Sequence, residues 1–431
     1  MNILLINHYA GTPQYGMEYR PYYLAREWSS LGHKVSVVAA SQSHLRSRAP
    51  IINGSLTDEQ IDGIRYVWLR APTYRGNGLG RVKNILTFLM RLDSQRGRIV
   101  GAHPPDVVIA SSTYTLDIFP ASRIASKFGA KLFYEVHDLW PLSPMELGNM
   151  SRWHPFIMLV QWAENYACCH SDRVVSLLPK AESHLRQHGM SEGKFAYIPN
   201  GIDAHEWQSQ MEPLPEEHRK ILASLRKTGS FLVAYAGAHG VANALHTIVE
   251  AAKLLRDKPI CFVLIGKGPE KEALERSARE SGLKNVVFLP PVPKSSVPSL
   301  LTSFDALYIG LQRQPIYRFG ISPNKLMDYM MSGRPVLQAI DAGNDLVTES
   351  RCGITLRAED PRALADATMR MMSWTPSQRE DAGRRGRCYI VANHDYRALA
   401  SRFLEVMALE KMPGREGIKP RAFGPEGVHS A

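Results

Sequence analysis

Short apolar runs alternate with helical patterns along most of the chain, and this alternation constrains the fold more than any other feature. The first half begins with an apolar run at residues 3–6, a helical pattern over residues 18–31 and a second run at residues 35–38. Runs this short and this apolar are typical of parallel strands that are covered by helices on both faces. The sequence therefore predicts an α/β fold of doubly wound, Rossmann-like type.

The same plan occurs twice. In the first half, further strands are predicted at residues 64–69, 106–110, 131–135, 173–176 and 195–198. In the second half, strands are predicted at residues 231–235, 260–265, 286–289, 306–309, 336–339 and 354–356. We therefore predict an N-terminal domain at residues 1–205 and a C-terminal domain at residues 206–392, facing a central cleft. A last helix near residues 393–411 is expected to pack back on the N-terminal domain, and the tail at residues 412–431 is predicted to be disordered.

Length, charge and cysteine usage exclude several classes of protein. With 431 residues, of which 44% are hydrophobic, the chain can form two or three domains. Its five cysteines follow no zinc or redox spacing, which indicates reduced thiols. No apolar stretch approaches the roughly 18 residues of a membrane span, so we predict a cytoplasmic protein, soluble or peripheral. The net charge of +11 indicates anionic partners, but no nucleic-acid-binding motif is present, and nucleic acid is not expected as a partner.

One strand-to-helix junction in the second half is typical of an anion site. Ser322 is a good N-cap, Pro323 suits the first helical position, and Gly333 is expected to end a helix of about ten residues. The first-turn N–H groups and the helix dipole would favour a phosphate, and Lys325 adds a cation. Asp328, one turn later, could accept hydrogen bonds from two vicinal hydroxyls. Phosphate plus diol indicates a nucleotide, and the alternative is a surface helix with a weak Lys–Asp pair.

Glycine-bearing loops follow predicted strands in both halves, at residues 11–16, 237–240 and 266–269. Glycine lets backbone amides approach a ligand without an intervening side chain. Neither G-x-G-x-x-G nor G-x-x-x-x-G-K-[ST] occurs, so nicotinamide and Walker-loop sites are not expected. Each loop alone could be a plain turn, but three at corresponding strand ends favour a ligand site.

Three further polar residues lie at strand or helix ends of the first half. His137 directly follows the strand predicted at residues 131–135, where it is either a hydrogen-bonded loop histidine or a catalytic group. Glu18 and Arg20 open the first long helix, where they either bind a second substrate or complement the helix dipole. No D-x-D triplet occurs, so the sequence supports neither a metal site nor any other cofactor.

With these motifs assembled, the chain resembles retaining GT-B glycosyltransferases of family four over most of its length. The segments that carry the resemblance are residues 24–37, P-N-G-I-D at 199–203, G-K-G-P at 266–269 and S-P-N-K-L-M-D-Y-M at 322–330. The last segment is similar to the S-P-x-K-x-x-E-Y-M variant of capsule and O-antigen transferases, and the N-acetylfucosaminyltransferase-like branch looks nearest. The chain departs from the family at Gly320, where the first of two carboxylates eight residues apart is expected.

The resemblance implies a function for each domain. The C-terminal domain would bind a nucleotide-sugar donor through Gly237, His239, Gly240, Gly266, Lys267, Gly268, Ser322, Asn324, Lys325 and Asp328. The N-terminal domain would bind a glycan or lipid-linked acceptor through Gly16, Glu18 and Arg20. His137, Lys325 and Asp328 would carry catalysis, with His137 touching the donor sugar and with retention of anomeric configuration by front-face attack.

The resemblance also implies a biological setting, which is bacterial surface polysaccharide (lipopolysaccharide O-antigen) biosynthesis. The donor would be a UDP-sugar, with UDP-N-acetylfucosamine as the first candidate. Two alternatives remain open: a sugar-nucleotide epimerase of the same architecture, and a non-catalytic sugar-nucleotide sensor that has lost the acid at position 320. Turnover separates them, because only a transferase releases nucleoside diphosphate in the presence of an acceptor.

A basic block in the first half predicts peripheral binding to the anionic inner face of the cell membrane. Its cations are Arg65, Arg70, Arg75, Arg81, Lys83, Arg91, Arg96 and Arg98, against the single acid Asp93. One helix face within the block carries apolar side chains, namely Ile85, Leu86, Phe88, Leu89 and Leu92. Basic amphipathic helices favour anionic bilayers, and the alternative is that this face packs on the core.

Overall fold

The computed structural model describes residues 1–16, 18–76, 78–209 and 211–410. The tail predicted to be disordered, at residues 412–431, lies outside these described residues. The chain divides into two α/β units: the first comprises Met1–Leu177, Ala181–Ile198 and the chain from Ser401, and the second comprises Leu178–Lys180 and Pro199–Ala400. The change of unit at Pro199 comes a few residues before the predicted boundary at 205/206.

The first unit contains an eight-stranded sheet. Its strands are β1 (Asn2–Ile6), β2 (Lys34–Ala40), β3 (Leu56–Ile61), β4 (Ile64–Leu69), β5 (Val107–Ala110), β6 (Lys131–Val136), β7 (Arg173–Ser176) and β8 (Phe195–Tyr197). The strand order is β3-β4-β2-β1-β5-β6-β7-β8, and every neighbouring pair is parallel except β3 and β4. Strand β3 was not predicted, because only Leu56 and Ile61 at its two ends are buried and the residues between them are polar.

Helices connect these parallel strands. They are α1 (Arg20–Ser30), α2 (Leu79–Ser94), α3 (Arg96–Val100), α4 (Ile118–Phe128), α5 (Leu142–Glu146), α6 (Pro155–His170) and α7 (Glu182–Gln187). The first of them begins at Arg20, with Pro21 in its first turn, so Glu18 precedes the helix that it was expected to open.

The predicted apolar face of the basic block is largely a core face, which corrects its interpretation as a membrane-facing surface. On α2, Ile85, Phe88 and Leu92 are buried. Leu86 of the predicted face is instead exposed to solvent, together with Leu79, Val82 and Met90 on the same helix.

The second unit contains a six-stranded, fully parallel sheet. Its strands are β9 (Phe231–Ala236), β10 (Ile260–Ile265), β11 (Val286–Leu289), β12 (Ala306–Gly310), β13 (Val336–Ala339) and β14 (Gly353–Leu356). Its helices are α8 (Ala204–Ser209), α9 (Glu216–Lys227), α10 (His246–Leu254), α11 (Lys271–Glu280), α12 (Val297–Leu301), α13 (Asn324–Met331), α14 (Leu346–Ser350), α15 (Pro361–Met372) and α16 (Pro376–His394). The order β11-β10-β9-β12-β13-β14 is the Rossmann order, which confirms the predicted fold class.

Alternate residues of each strand in the second unit enter two separate apolar cores. Leu232 and Val263 belong to the core on one face of the sheet, whereas Val233 and Phe262 belong to the core on the other. Helices therefore cover both faces, as the short apolar strands predicted. In a Rossmann sheet the strand order reverses at one point, here between β9 and β12, and ligands bind outside the carboxyl ends of the strands there.

A last helix, α17 (Tyr396–Ala408), returns the chain to the first unit from Ser401 onward. Phe403 packs edge-on against Trp28 at 5.2 Å between ring centroids. The Lys131 ammonium donates to the carbonyl of Met407 at 2.7 Å. Within the described residues, no helix is both long enough and apolar enough to cross a lipid bilayer.

Candidate functional site

Two glycine loops of the second unit pack directly on each other beyond the carboxyl ends of β9 and β10. The His239 N–H donates to the carbonyl of Lys267 at 2.9 Å, and the Gly237 N–H donates to that of Ile265 at 3.0 Å. A β-carbon added at Gly266 would lie 1.9 Å from the Gly237 carbonyl oxygen, and one at Gly268 would lie 2.4 Å from that of His239. Both positions therefore require glycine because backbone meets backbone there, and Lys267 between them is exposed.

Helix α13 follows β12 at the same edge of the sheet. It begins at Asn324 with Pro323 as its N-cap, so the prediction that Ser322 caps this helix was wrong. The Ser322 hydroxyl instead accepts from the Asn200 N–H at 2.9 Å, and its carbonyl accepts from the Asn200 amide at 2.9 Å. Ser322 thus anchors the P-N-G-I-D segment. The helix ends at Met331, two residues before Gly333, which has a φ of +71°.

Lys325, in the first turn of α13, reaches the loop after β9. Its ammonium donates to the Tyr235 hydroxyl at 2.9 Å and to the side-chain oxygen of Asn243 at 2.5 Å. A β-carbon added at Gly237 would lie 3.5 Å from this nitrogen, so the ammonium lies beside the glycine backbone. Burial lowers the pKa of Lys325 to about 8, which leaves it mostly charged at neutral pH. The ammonium also lies 4.9 Å from the centroid of the Tyr235 ring, and among the described residues no carboxylate pairs with it.

Asp328 lies one helical turn further along α13, close to Lys294 in the segment that follows β11. Burial raises the pKa of Asp328 to about 6, while the Lys294 ammonium and the Trp207 indole act in the opposite direction. Across the described part of the chain, no ion pair joins Lys325 to Asp328. The alternative of a weakly paired surface helix is therefore wrong, and the carboxylate and the ammonium act on different neighbours.

Gly320, where the family pattern expects a carboxylate, cannot accommodate a side chain in this backbone conformation. Its φ is +107°, and an added β-carbon would lie 2.5 Å from the Pro179 ring. Asn344 fixes the adjoining backbone, because its side chain accepts from the Ile321 N–H at 2.8 Å and donates to the Ile321 carbonyl at 3.0 Å. The local backbone conformation therefore requires glycine at position 320 and excludes the first acid of the family pattern.

His239, predicted to contact the donor, is buried beneath the glycine loops. Its ring lies near Tyr235 and Phe288, and within the described part of the chain no residue lies in hydrogen-bond geometry to either ring nitrogen. Burial lowers the pKa of His239 to about 4, so the ring is neutral at physiological pH. The adjoining Gly240 is half-buried and extended, with a φ of −105° and a ψ of 156°.

In the first unit, His137 joins a buried polar cluster at the carboxyl ends of β5 and β6. The Ser111 hydroxyl donates to Glu135 Oε2 at 2.6 Å. His137 Nε2 lies 2.9 Å from this hydroxyl oxygen and 3.2 Å from Glu135 Oε2. Since the only hydroxyl hydrogen of Ser111 points at Glu135, His137 Nε2 must be the donor, which leaves the lone pair of a neutral ring on Nδ1.

Arg20 also belongs to this cluster, and its side chain is buried rather than exposed at a surface. Its guanidinium donates to Glu135 Oε1 at 3.1 and 2.9 Å and to the carbonyl of Ile198 at 2.9 Å, and the side chain is 1% exposed. Burial alone would raise the pKa of Glu135, but Arg20, His137 and Ser111 hold it well below its usual range. The expectation that Arg20 contacts an acceptor is corrected: the residue positions Glu135.

The other residues predicted for the acceptor lie in the loop after β1. Gly16 has a φ of +102°, and an added β-carbon would lie 2.9 Å from the Ser47 nitrogen, so the close approach requires glycine. The Glu18 carbonyl accepts from the Gly11 N–H at 2.8 Å. Both residues shape this loop through their backbones, and their assignment to acceptor binding stays a prediction.

Sequence reasoning missed three polar residues around His137. Glu135 lies two residues earlier in the predicted strand and Ser111 directly follows β5, so strand-end position was a usable signal for both. Asp117 directly precedes α4 without capping it through its side chain, and burial raises its pKa to about 6 although its Oδ2 accepts from the Ser112 N–H at 3.0 Å. Its Oδ1 is buried without a hydrogen-bond partner.

Comparison with protein families agrees with this architecture. Residues 15–201 match the family described as glycosyl transferase 4-like domain, and residues 230–373 match glycosyl transferases group 1. Together with the fold, the two matches identify the chain as a GT-B glycosyltransferase of the family-four type. Among curated proteins, it is 22% identical over 335 residues to the putative colanic acid biosynthesis glycosyl transferase WcaI of Escherichia coli K12, covering 74% of this chain and 79% of WcaI.

Solved structures with the same fold include two that cover almost the whole chain. Sucrose-phosphate synthase from Thermosynechococcus elongatus superposes with a TM-score of 0.69 at 16% identity, over 94% of this chain and 98% of that one. HepE of Anabaena, solved in complex with UDP, superposes with a TM-score of 0.66 at 14% identity, over 95% of this chain and 100% of that one. These similarities concern the fold alone.

Proposed function

We propose that the second unit binds a nucleotide-diphosphate sugar at the carboxyl ends of β9, β10 and β12. The observation that carries this proposal is Lys325, a partly buried ammonium between two neutral partners and beside the backbone of Gly237. A diphosphate would supply the missing negative charge, and the first turn of α13 adds backbone N–H groups and its dipole. Asp328, whose carboxylate lies one turn further on, accepts hydrogen bonds from the ribose hydroxyls. The UDP bound by HepE supports a uridine donor.

The residues assigned here can support glycosyl transfer without acting as ligands to a metal ion. An oxocarbenium-like transition state with a departing diphosphate needs stabilised negative charge, which Lys325 and the first turn of α13 provide. The leaving phosphate accepts the acceptor proton, so no strong protein base is required, and transfer occurs with retention. His137 acts in turnover, because Ser111 and Glu135 fix its Nε2–H and direct the Nδ1 lone pair to a substrate hydroxyl.

The identities of the donor and the acceptor are a separate, more specific proposal. We propose a glycan or lipid-linked acceptor and a role in bacterial surface polysaccharide biosynthesis, which the similarity to WcaI, a putative colanic acid biosynthesis glycosyl transferase, supports. UDP-N-acetylfucosamine is the first donor to test, because the S-P-N-K-L-M-D-Y-M segment resembles O-antigen transferases. The experiment is a matrix of sugar nucleotides against lipid-linked acceptors, with nucleoside diphosphate release as the readout. Release with one donor only when an acceptor is present supports the proposal. Conversion of the sugar without an acceptor would indicate an epimerase, and binding without turnover would indicate a sensor.

We also propose that the first unit binds the anionic inner leaflet through exposed apolar side chains on α2 and α6. Leu79 is 87% exposed and Met90 63%, with Val82 and Leu86 between them on the same helix face. Helices α2 and α6 both contact α4, and Trp162 of α6 stacks on Phe119 of α4 at 4.4 Å while remaining 49% exposed.

Basic side chains border these apolar positions and favour anionic lipid over a neutral partner. Arg75 and Lys83 are exposed, and Arg152 lies over the exposed ring of Trp153 at 4.7 Å. Arg65, Arg70 and Arg91 are instead held by backbone carbonyls, so they contribute less than the sequence suggested. Each cation near an anionic bilayer contributes about 1 kcal/mol, which salt weakens.

Vesicle co-sedimentation tests the membrane proposal. Vesicles with phosphatidylglycerol should sediment the protein at low salt, and the double variant Leu79→Ser, Leu86→Ser should lose this binding. The control is Leu254→Ser on α10 of the second unit, a leucine that is likewise exposed. Equal binding to neutral vesicles, or no difference between the double variant and the control, would refute the membrane proposal and leave the donor site standing.

A further inference from the structure

Three side chains with metal-binding atoms converge between α6 and α7 of the first unit. Glu164 comes from α6, His184 from α7, and His188 directly follows α7. One ligand atom from each lies within 4.8 Å of the others. His184 Nε2 is 3.0 Å from Glu164 Oε1, and His188 Nδ1 is 3.9 Å from Glu164 Oε2.

Among the described residues, no lysine or arginine contacts the buried carboxylate of this cluster. Glu164 is fully buried, and the contacts described for its side chain are the two imidazoles and the Gln161 amide, which donates to Oε2 at 2.8 Å. A buried carboxylate with no lysine or arginine beside it is costly unless another positive charge compensates it. A divalent cation bound by the same three side chains would supply that charge.

The spacing of the ligands also suits a metal ion. His184 lies on α7 and His188 is its C-cap residue, and the centroids of their rings are 4.4 Å apart. Tetrahedral zinc with ligand distances near 2.1 Å places its donor atoms about 3.4 Å apart, so His188 Nδ1, which is 3.9 Å from Glu164 Oε2, must approach it by roughly 0.5 Å. The side chain of His188 is partly exposed and gives an ion access from solvent.

Two neighbouring amides can complete the coordination. Gln161 Nε2 lies 2.9 Å from His188 Nδ1, and the Asn165 side-chain oxygen lies 2.9 Å from the same nitrogen. Because the oxygen and nitrogen of a side-chain amide exchange places on a half-turn, Gln161 can present its oxygen where Nε2 now lies. The fourth ligand is then this oxygen or a water molecule.

We propose that Glu164, His184 and His188 bind one divalent transition-metal ion of the zinc type, which fastens α7 to α6. Two imidazoles and one carboxylate form a donor set that suits Zn²⁺ and Co²⁺ better than Mg²⁺ or Ca²⁺, which prefer oxygen. The described contacts of His137 are with Ser111 and Glu135 and include none of the three ligands, so we assign the ion a structural role rather than one in glycosyl transfer.

Metal titration of the full chain tests this proposal. After chelator treatment, the protein should take up one equivalent of Zn²⁺ and gain thermal stability, and Co²⁺ should give the visible absorption of a tetrahedral nitrogen and oxygen site. His188→Gln and the isosteric Glu164→Gln should each weaken Zn²⁺ binding by at least about tenfold. The matched control is His170→Gln, an exposed histidine on α6 whose ring contacts the Tyr166 carbonyl, and it should bind as the wild type does.

Several outcomes would overturn the proposal. Wild-type protein that takes up no stoichiometric Zn²⁺ would show that these side chains form only a hydrogen-bonded network. Unchanged binding in His188→Gln would place the ion elsewhere. Cobalt spectra with thiolate charge-transfer bands would assign the ion to a cysteine site, since Cys168 and Cys169 lie on the same helix α6. None of these readouts depends on transferase activity, so their failure leaves the proposed function untouched.

Discussion

Replacing Lys325 with methionine should weaken binding of a nucleotide-diphosphate sugar by about ten- to a hundredfold. Methionine keeps most of the side-chain length but removes the charge that contacts the Tyr235 hydroxyl and the Asn243 oxygen. A charge-assisted hydrogen bond contributes about 1.5–3 kcal/mol, and every 1.4 kcal/mol or so changes affinity tenfold. Tyr235 keeps its own bond to the Ala238 carbonyl at 2.7 Å, so the loop should hold its shape.

The pH dependence of binding gives a second signature of the same lysine. Because burial lowers the pKa of Lys325 to about 8, the free protein carries its charge at roughly 90% occupancy at pH 7 and loses it above pH 8. A bound diphosphate favours the charged form and raises this pKa. Affinity should therefore be constant below about pH 7 and fall as pH rises through the free-state pKa, by up to tenfold per unit.

Isothermal titration calorimetry with UDP-glucose measures both effects, since a diphosphate diester keeps a constant charge over this pH range. The matched control is Lys258→Met, which removes an exposed lysine just before β10, at the opposite edge of the sheet. Wild type and control should show the fall in affinity with pH, and Lys325→Met should show a weak, pH-independent affinity. Equal affinities in the two variants, or a pH dependence that persists in Lys325→Met, would refute the assignment.

Three further outcomes follow from the site. Asp328→Asn should weaken nucleotide binding by about ten- to a hundredfold in the same calorimetric assay, with a smaller loss for a deoxyribose analogue that cannot make the proposed contacts. His137→Ala should lower kcat strongly and leave nucleoside diphosphate affinity nearly intact. Normal turnover in this variant would show that His137 is a hydrogen-bonded loop histidine without a catalytic role. Gly320→Glu should not restore a family-like site: a φ of +107° and the 2.5 Å approach to Pro179 should lower the free energy of unfolding by about 1–3 kcal/mol in urea. Unchanged stability together with higher activity in Gly320→Glu would contradict the prediction that position 320 requires glycine.

The strands were predictable because their signal is local. A buried parallel strand such as β10 is apolar at every position, so it stands out within six residues. Strand β3 escaped because it pairs only with β4 at the edge of its sheet and keeps polar side chains in its middle. The doubly wound class followed from the alternation of strands and helices, whereas the order of the strands was not predicted and is seen only in the structure.

The parts of the site that depend on distant partners were not predictable. Ser322 has the residue type of an N-cap, but its hydroxyl accepts a hydrogen bond from the backbone N–H of Asn200, which is far away in the chain. Arg20 has the charge of a substrate contact, but Glu135 holds it in the core. On α2, both helix faces carry apolar side chains, and only packing shows that Phe88 points inward. In each case local sequence gives the chemistry of a side chain and tertiary structure decides its partner.

The most direct test of the proposed function measures two products in one reaction. Protein, sugar nucleotide and acceptor are incubated together, and released nucleoside diphosphate is quantified beside the mass increase of the acceptor. We predict equal amounts of nucleotide released and acceptor glycosylated, with neither product when the acceptor is omitted. Nucleotide release without a glycosylated acceptor, or conversion of the donor sugar without release, would contradict the proposal that this chain transfers a sugar.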